Sequence, residues 1–228
     1  MMEYRTNVAR YETEDGDKIL YPFSPPIFQT HIDDHFRIEL LEEGRKLTKE
    51  EDDFNHKLAG NLKYGRSYHY KEDYVDKVEP KIISYCEKFL NGITDQFQTS
   101  KSVDDLLQKQ VIRGTRVRGK LRLDTFWVNF SKKHDYNPPH THTGVLSFVI
   151  FLHTPPEIFK VQADSNTQRA GQITFAHGNN MTYLMGAEYP VTPYENLMFI
   201  FPNKLSHYVA PFWVDEERVS VSGNLIVV

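Results

Sequence analysis

Between Glu72 and Phe97 the apolar residues Val75, Val78, Ile82, Cys86, Phe89, Ile93 and Phe97 recur at steps of three or four. That spacing puts them on one stripe of a helix, and Pro80 within the stripe predicts a kink or restart. Upstream, residues 20–31 (LYPFSPPIFQTH) read as an extended entry strand broken by Pro25 and Pro26. Residues 35–58 have the propensities of two short helices, the second opened by a Thr48–Glu51 capping box. A last short helix is predicted over 103–110. From Arg113 the pattern shifts to short alternating or apolar segments separated by Pro-Pro, Gly-Asn-Asn and Pro-Asn. GKLRLDTFWVNFS, VLSFVIFLHT, EIFKVQ, GQITFA, MTYLM, LMFIFP, HYVAP and RVSVSGNLIVV make about eight strand candidates, the pattern of a sandwich or barrel.

The amphipathic helix needs an apolar surface to cover, and a sheet face supplies one. The expected fold is therefore mainly β with a helical layer (α+β), a jelly-roll with N-terminal helices packed on one sheet. One domain is expected over 1–228, with the strand and helical layer in 1–110 and the β core in 111–228.

Strand parity then assigns side chains to faces. In the segment from Leu121 to Ser131, one face carries Leu121, Leu123, Thr125, Trp127, Asn129 and Ser131, the other Arg122, Asp124, Phe126, Val128 and Phe130. In the last strand Arg218, Ser220, Ser222 and Asn224 oppose Val219, Val221, Gly223 and Leu225. The apolar face must meet the core, so the polar one faces solvent or lines a cavity. An arginine inside a barrel is costly without an anionic partner, so a lined cavity implies an anionic ligand.

Composition narrows the classes. The formal net charge of −4 gives no global field for a polyanion, and the single cysteine, Cys86, excludes an internal disulfide and suits a reducing compartment. With no apolar leader or span-length apolar run, the protein is expected to be soluble and cytoplasmic. Arg116, Arg118, Lys120 and Arg122 would form a basic stripe on one face of an extended segment, a nucleic-acid contact or, more simply, a solvated edge.

The sharpest chemistry lies in Asn137-Pro-Pro-His140-Thr-His142, just before the strand LSFVIFLH. A His-x-His pair on extended chain projects both rings to one side, where they can share a metal. A third nitrogen is offered by His207 after the Pro-Asn turn that follows FIF, with Arg218 eleven residues later and Ser220 two beyond that. His31, His35, His56, His69, His134, His153 and His177 read as ordinary surface or hydrogen-bonded residues, Trp127 and Cys86 as core, and Tyr136 and Tyr183 as pocket aromatics.

This set resembles the 2-oxoglutarate- and Fe(II)-dependent oxygenases, more narrowly those found in phage and marine bacterial genomes. The resemblance is carried by Trp127-Val-Asn129, Asn137-Pro-Pro-His140-Thr-His142, Leu146-Ser-Phe-Val149, the segment Phe201–Pro211 and Arg218-Val-Ser220-Val-Ser-Gly-Asn224, and reaches from about residue 20 to the end. It implies a double-stranded β-helix with Fe(II) on His140, His142 and His207, 2-oxoglutarate on Arg218 and Ser220 with Asn129 beside them, and O2 as oxidant. The activity implied is oxidative decarboxylation of 2-oxoglutarate to succinate coupled to hydroxylation, or demethylation, of a substrate the sequence does not name.

His142 stands where the family at large has Asp or Glu, which adds one positive charge to the metal site. Asp135 or a carboxylate of Asp215–Glu217 is an alternative third ligand, leaving His142 to orient another ligand by hydrogen bonding. Two other classes fit parts of the pattern. A cupin-like enzyme with three histidines and no 2-oxoglutarate explains His142 but not Arg218 and Ser220. A non-catalytic jelly-roll module, for binding or in a virion, explains the strands but not an inward arginine.

Overall fold

In the computed structural model, residues 9–12, 15–21, 25–60, 62–96, 120–160, 169–178 and 187–228 are described. Their strands are β1 (Ala9–Glu12), β2 (Lys18–Tyr21), β3 (Ile27–His31), β4 (Arg66–His69), β5 (Leu121–Ser131), β6 (Asn137–His140), β7 (Leu146–His153), β8 (Ile173–Ala176), β9 (Glu188–Val191), β10 (Leu197–Pro202), β11 (Ser206–Val209) and β12 (Arg218–Val227). Eight form one sheet in the order β1-β2-β3-β10-β7-β12-β5-β4, and four form a second in the order β6-β11-β8-β9. Every pairing is antiparallel. The expected double-stranded β-helix is present, with sheet neighbours far apart in sequence.

The helices are α1 (Asp34–Lys46), α2 (Lys49–Asp52), α3 (Glu72–Gln96) and α4 (Glu157–Lys160). Asp33 caps α1 by accepting from the Phe36 N–H (2.8 Å). In α3, Val78, Ile82, Cys86 and Phe89 are buried while Val75 and Ile93 pack at the margin. These side chains meet Phe126, Val128, Phe130, Phe148, Ile150, Val219 and Val221 on the outer face of the large sheet. Each fully buried apolar side chain of this kind contributes about 1.5–3 kcal/mol.

Several sequence expectations change. The helix α3 runs unbroken through Pro80, which sits on its exposed side near the first turns. The Thr48–Glu51 box does not form: Asp52, one residue further on, accepts from the Thr48 N–H (2.9 Å). EIFKVQ is not a strand where it is described, because Pro155-Pro156 leads into the helical turn α4 and the Ile158 N–H donates to the Pro155 carbonyl (3.1 Å). The N-terminal part supplies four strands as well as helices, and β4 is the edge beside β5. The 103–110 helix, MTYLM, Tyr183, Arg116 and Arg118 fall outside the described residues.

The parity of β5 also changes, at a bulge. Asn224 pairs with Thr125 but Leu225 pairs with Leu123, so Asp124 is skipped. Leu121 and Leu123 thereby join Phe126, Val128 and Phe130 on the helix side, leaving Thr125, Trp127, Asn129 and Ser131 facing the small sheet. In β12 the expected division holds: Val219, Val221 and Leu225 pack under the helices, while Arg218, Ser220 and Ser222 face the space between the sheets.

Gly223 lies on the packed side, where a Cβ would come within 2.5 Å of Phe148 Cζ. Gly223→Ala is expected to destabilise the fold by about 1–3 kcal/mol through overpacking. Urea denaturation should give a lower midpoint with an unchanged slope; an unaltered midpoint would mean the Phe148 ring yields freely.

Candidate active site

The small sheet brings the histidines together by register. His140 on β6 and His207 on β11 are directly opposed, with ring centroids 4.3 Å apart. Pro138 and Pro139 fit β6 because it is an edge strand with no outer partner to donate to. His142 follows in a loop held to the turn before β11: its N–H donates to the Asn203 carbonyl (2.9 Å), and Asn203 Nδ2 donates back to the His142 carbonyl (3.0 Å). This reciprocal pair turns the third ring inward, placing His142 Nε2 at 3.1 Å from His207 Nε2.

One nitrogen from each ring lies within 4.8 Å of the other two, the only group of three or more His, Cys, Asp or Glu with metal-ligand spacing among the described residues. His140 Nδ1 is bonded to the Pro138 carbonyl (2.7 Å) and His207 Nδ1 to the Leu205 carbonyl (3.1 Å). A carbonyl only accepts, so both rings carry their proton on Nδ1 and present an Nε2 lone pair inward. The donor set therefore fits a divalent metal ion. Asp135 and Asp215–Glu217 do not replace His142. Asp135 accepts from the Tyr64 and Lys132 N–H groups (3.0 and 2.9 Å), while Asp215 and Glu217 pair with Lys133, Arg45 and Arg66.

Burial favours the neutral form of all three rings. It lowers the pKa of His140, takes His142 down to about 4 with help from the His140 charge, and pushes His207 well below the ordinary range. At neutral pH His140 and His207 present unprotonated Nε2 atoms, while neutral His142 donates from its Nε2 to His207 Nε2.

From the imidazoles the cavity runs along the inner face of the large sheet to Arg218. Arg218 is buried; its Nη1 donates to the Gly171 carbonyl (2.8 Å) and its Nε has no partner. Desolvation lowers its pKa to about 10, opposed by the charge of Asp135, so it remains cationic at pH 7. Ser220 lies opposite Asn129, whose buried Oδ1 also lacks a partner. A buried cation with a free N–H donor in the wall fits a carboxylate ligand, whereas Asn129 Oδ1 is an acceptor and would need a donor of its own.

The stretch Asn55–Tyr68 also resembles the oxygenases in sequence, but sequence reasoning gave its leucines no role in the cavity. Leu58 and Leu62 line it from the segment between the 3-10 turn Asn55–Lys57 and β4. The segment is mounted on β6: the Gly60 N–H donates to Asn137 Oδ1 (2.9 Å), while Asn137 Nδ2 lies 3.4 Å from His140 Nε2. A Cβ at Gly60 would collide with the Tyr136 carbonyl, so glycine allows this approach. Asn137 is visible in the motif around the histidines; no periodicity marks Leu58 or Leu62. Trp127, read as core, is buried but lines the cavity as well.

Residues 125–224 match the protein-family model described as "Putative 2OG-Fe(II) oxygenase". The matched stretch runs from within β5 to within β12 and holds the three histidines, Asn129, Arg218 and Ser220. No curated protein is matched in sequence. Among solved structures, the chain is similar to SnoN, a non-heme alpha ketoglutarate dependent epimerase from nogalamycin biosynthesis. The TM-score is 0.56 at 14% identity, over 88% of this chain and 76% of that one. A prolyl-4-hydroxylase from Pseudomonas putida gives a TM-score of 0.51 at 14% identity, over 88% and 91%. At these identities the likeness is one of fold. No described helix is long and apolar enough to cross a membrane.

The depressed histidine pKa values give the metal-free protein a pH dependence. Unfolded imidazoles take up protons below about pH 6.5 while the folded rings resist until about pH 4, so the unfolded state binds more protons in that window. Stability is expected to fall as pH drops from about 6.5 towards 4, and less steeply in His142→Ala. Melting temperatures across that range test this; equal slopes would mean that His142 protonates as easily folded as unfolded.

Proposed function

We propose that His140, His142 and His207 hold Fe(II) and that Arg218, Ser220 and Asn129 hold 2-oxoglutarate in an active oxygenase. The observation that carries this reading is one cavity with three inward ring nitrogens at one end and a buried, incompletely paired guanidinium at the other. When bound, iron, 2-oxoglutarate and O2 supply the oxidation: one oxygen atom goes to succinate as CO2 leaves, and the other goes to a C–H bond of the substrate.

The chain's own residues do the positioning. His140 and His207 are fixed in the ligating tautomer by their backbone acceptors. The His142 proton must sit on Nδ1 for Nε2 to ligate, so metal replaces the contact between the His142 and His207 nitrogens. Arg218 pairs with the remote carboxylate, Ser220 adds a hydroxyl donor, and Phe151, Phe201, Leu58 and Leu62 exclude water from the walls. Three neutral imidazoles leave an Fe(II) site at +2, so the dianionic co-substrate meets a more positive centre than with a carboxylate ligand. Hydroxylation is the default outcome and demethylation its variant; a cytoplasmic setting suits the single buried thiol.

Anaerobic titration with Fe(II) and then 2-oxoglutarate is expected to give a visible metal-to-ligand charge-transfer band near one-to-one stoichiometry, absent in His140→Ala and His207→Ala. Arg218→Met should raise the 2-oxoglutarate half-saturation by about a hundredfold, the scale of losing a buried charge pair, with metal binding intact. Folded, iron-loaded protein without the band would favour a three-histidine enzyme that does not use 2-oxoglutarate.

A further inference from the structure

Two side-chain nitrogens among the described residues are buried without a hydrogen-bond partner, Arg218 Nε and Trp127 Nε1, and both residues line the same cavity. The arginine already has a reason to be there. The tryptophan's ring face stacks on Phe54, 5.0 Å away and 26° from parallel, but that contact leaves the indole N–H without a partner. A buried donor left unpaired costs about 1–3 kcal/mol, so the indole N–H implies an acceptor that comes and goes.

Strand register locates that acceptor. Along the inner face the pairs run Ser131 with Arg218, Asn129 with Ser220, and Trp127 with Ser222. Trp127 thus stands two rungs from the guanidinium, at the imidazole end, its ring 5.9 Å from that of His142. The bulge that skips Asp124 is what turns Trp127 inward while Leu123 packs outward under the helices. A cationic donor at one end and a neutral donor at the other suit a ligand with oxygen acceptors at both ends.

We infer that Trp127 is a second anchor of the co-substrate, its indole N–H donating to the 2-oxo acid end of 2-oxoglutarate while Arg218 takes the remote carboxylate. This rests on the function proposed above and adds a residue to it. It divides recognition in two: Arg218 selects for a second carboxylate, whereas Trp127 selects for a 2-oxo acid beside the metal whatever the rest of the molecule.

The test uses two acids and two readouts. Trp127 and Trp213 are the two tryptophans, so Trp213→Phe leaves a single indole signal. In Zn(II)-loaded Trp213→Phe, the indole 1H–15N resonance should move downfield on adding 2-oxoglutarate, and also on adding pyruvate, which lacks the remote carboxylate. Trp127→Phe, in the Fe(II) protein, should raise the half-saturation for both acids at least tenfold, the scale of a hydrogen bond to a charged group, with metal stoichiometry unchanged. Arg218→Met should weaken 2-oxoglutarate but spare pyruvate. An indole resonance that stays in place, or a Trp127→Phe protein that melts as wild type does and binds both acids unchanged, would overturn the assignment alone. Wild-type protein that binds Fe(II) but neither acid would overturn the proposed function and this assignment with it.

Discussion

Arg218 imposes the strictest condition on this structure. A guanidinium inside a β-sandwich loses its hydration, and one backbone carbonyl from Gly171 replaces only part of it. The remaining demand is met by keeping the space in front of the arginine open, and the surrounding architecture follows. The two sheets cannot close on each other along the Arg218 side, so the inner apolar cluster of Ile173, Phe175, Phe199 and Phe201 occupies only part of the interval between them. Stability has to come from elsewhere. It comes from the outer face of the large sheet, where α1 and α3 build the larger core.

This division explains what was legible in the sequence. The stripe on α3 and the alternation of β12 each reflect one interface, and simple periodicity recovers both. His140 and His207 were legible together because they stand directly opposite each other on neighbouring short strands, the register shifting only beyond His207. Where local pattern and tertiary structure disagree, a specific device lies behind it. The bulge at Asp124 reverses the side assignment of Leu121 and Leu123, and no residue in that run announces it. Pro80 was read as a break, yet it sits on the exposed side of α3, where packing of the opposite stripe outweighs the lost hydrogen bond.

The histidine at 142, where the resembled family has a carboxylate, could not be interpreted from sequence, because an imidazole there is compatible with ligation or with a supporting role. Its backbone exchange with Asn203 is what turns the ring inward. That pair joins two segments about sixty residues apart and is invisible to any short motif. Asp135, the rival ligand, is occupied by the Tyr64 and Lys132 backbone and acts on Arg218 through its charge.

The attachment to β6 of the segment holding Leu58 and Leu62 has a wider consequence. Gly60 hangs from Asn137, and the other end of the same amide touches His140. The Leu58 and Leu62 side of the cavity wall and the His140 ring therefore share one support. A change that separates Gly60 from Asn137 would reach the imidazole cluster without touching any of its three rings, whereas one that keeps the pair leaves wall and ring aligned.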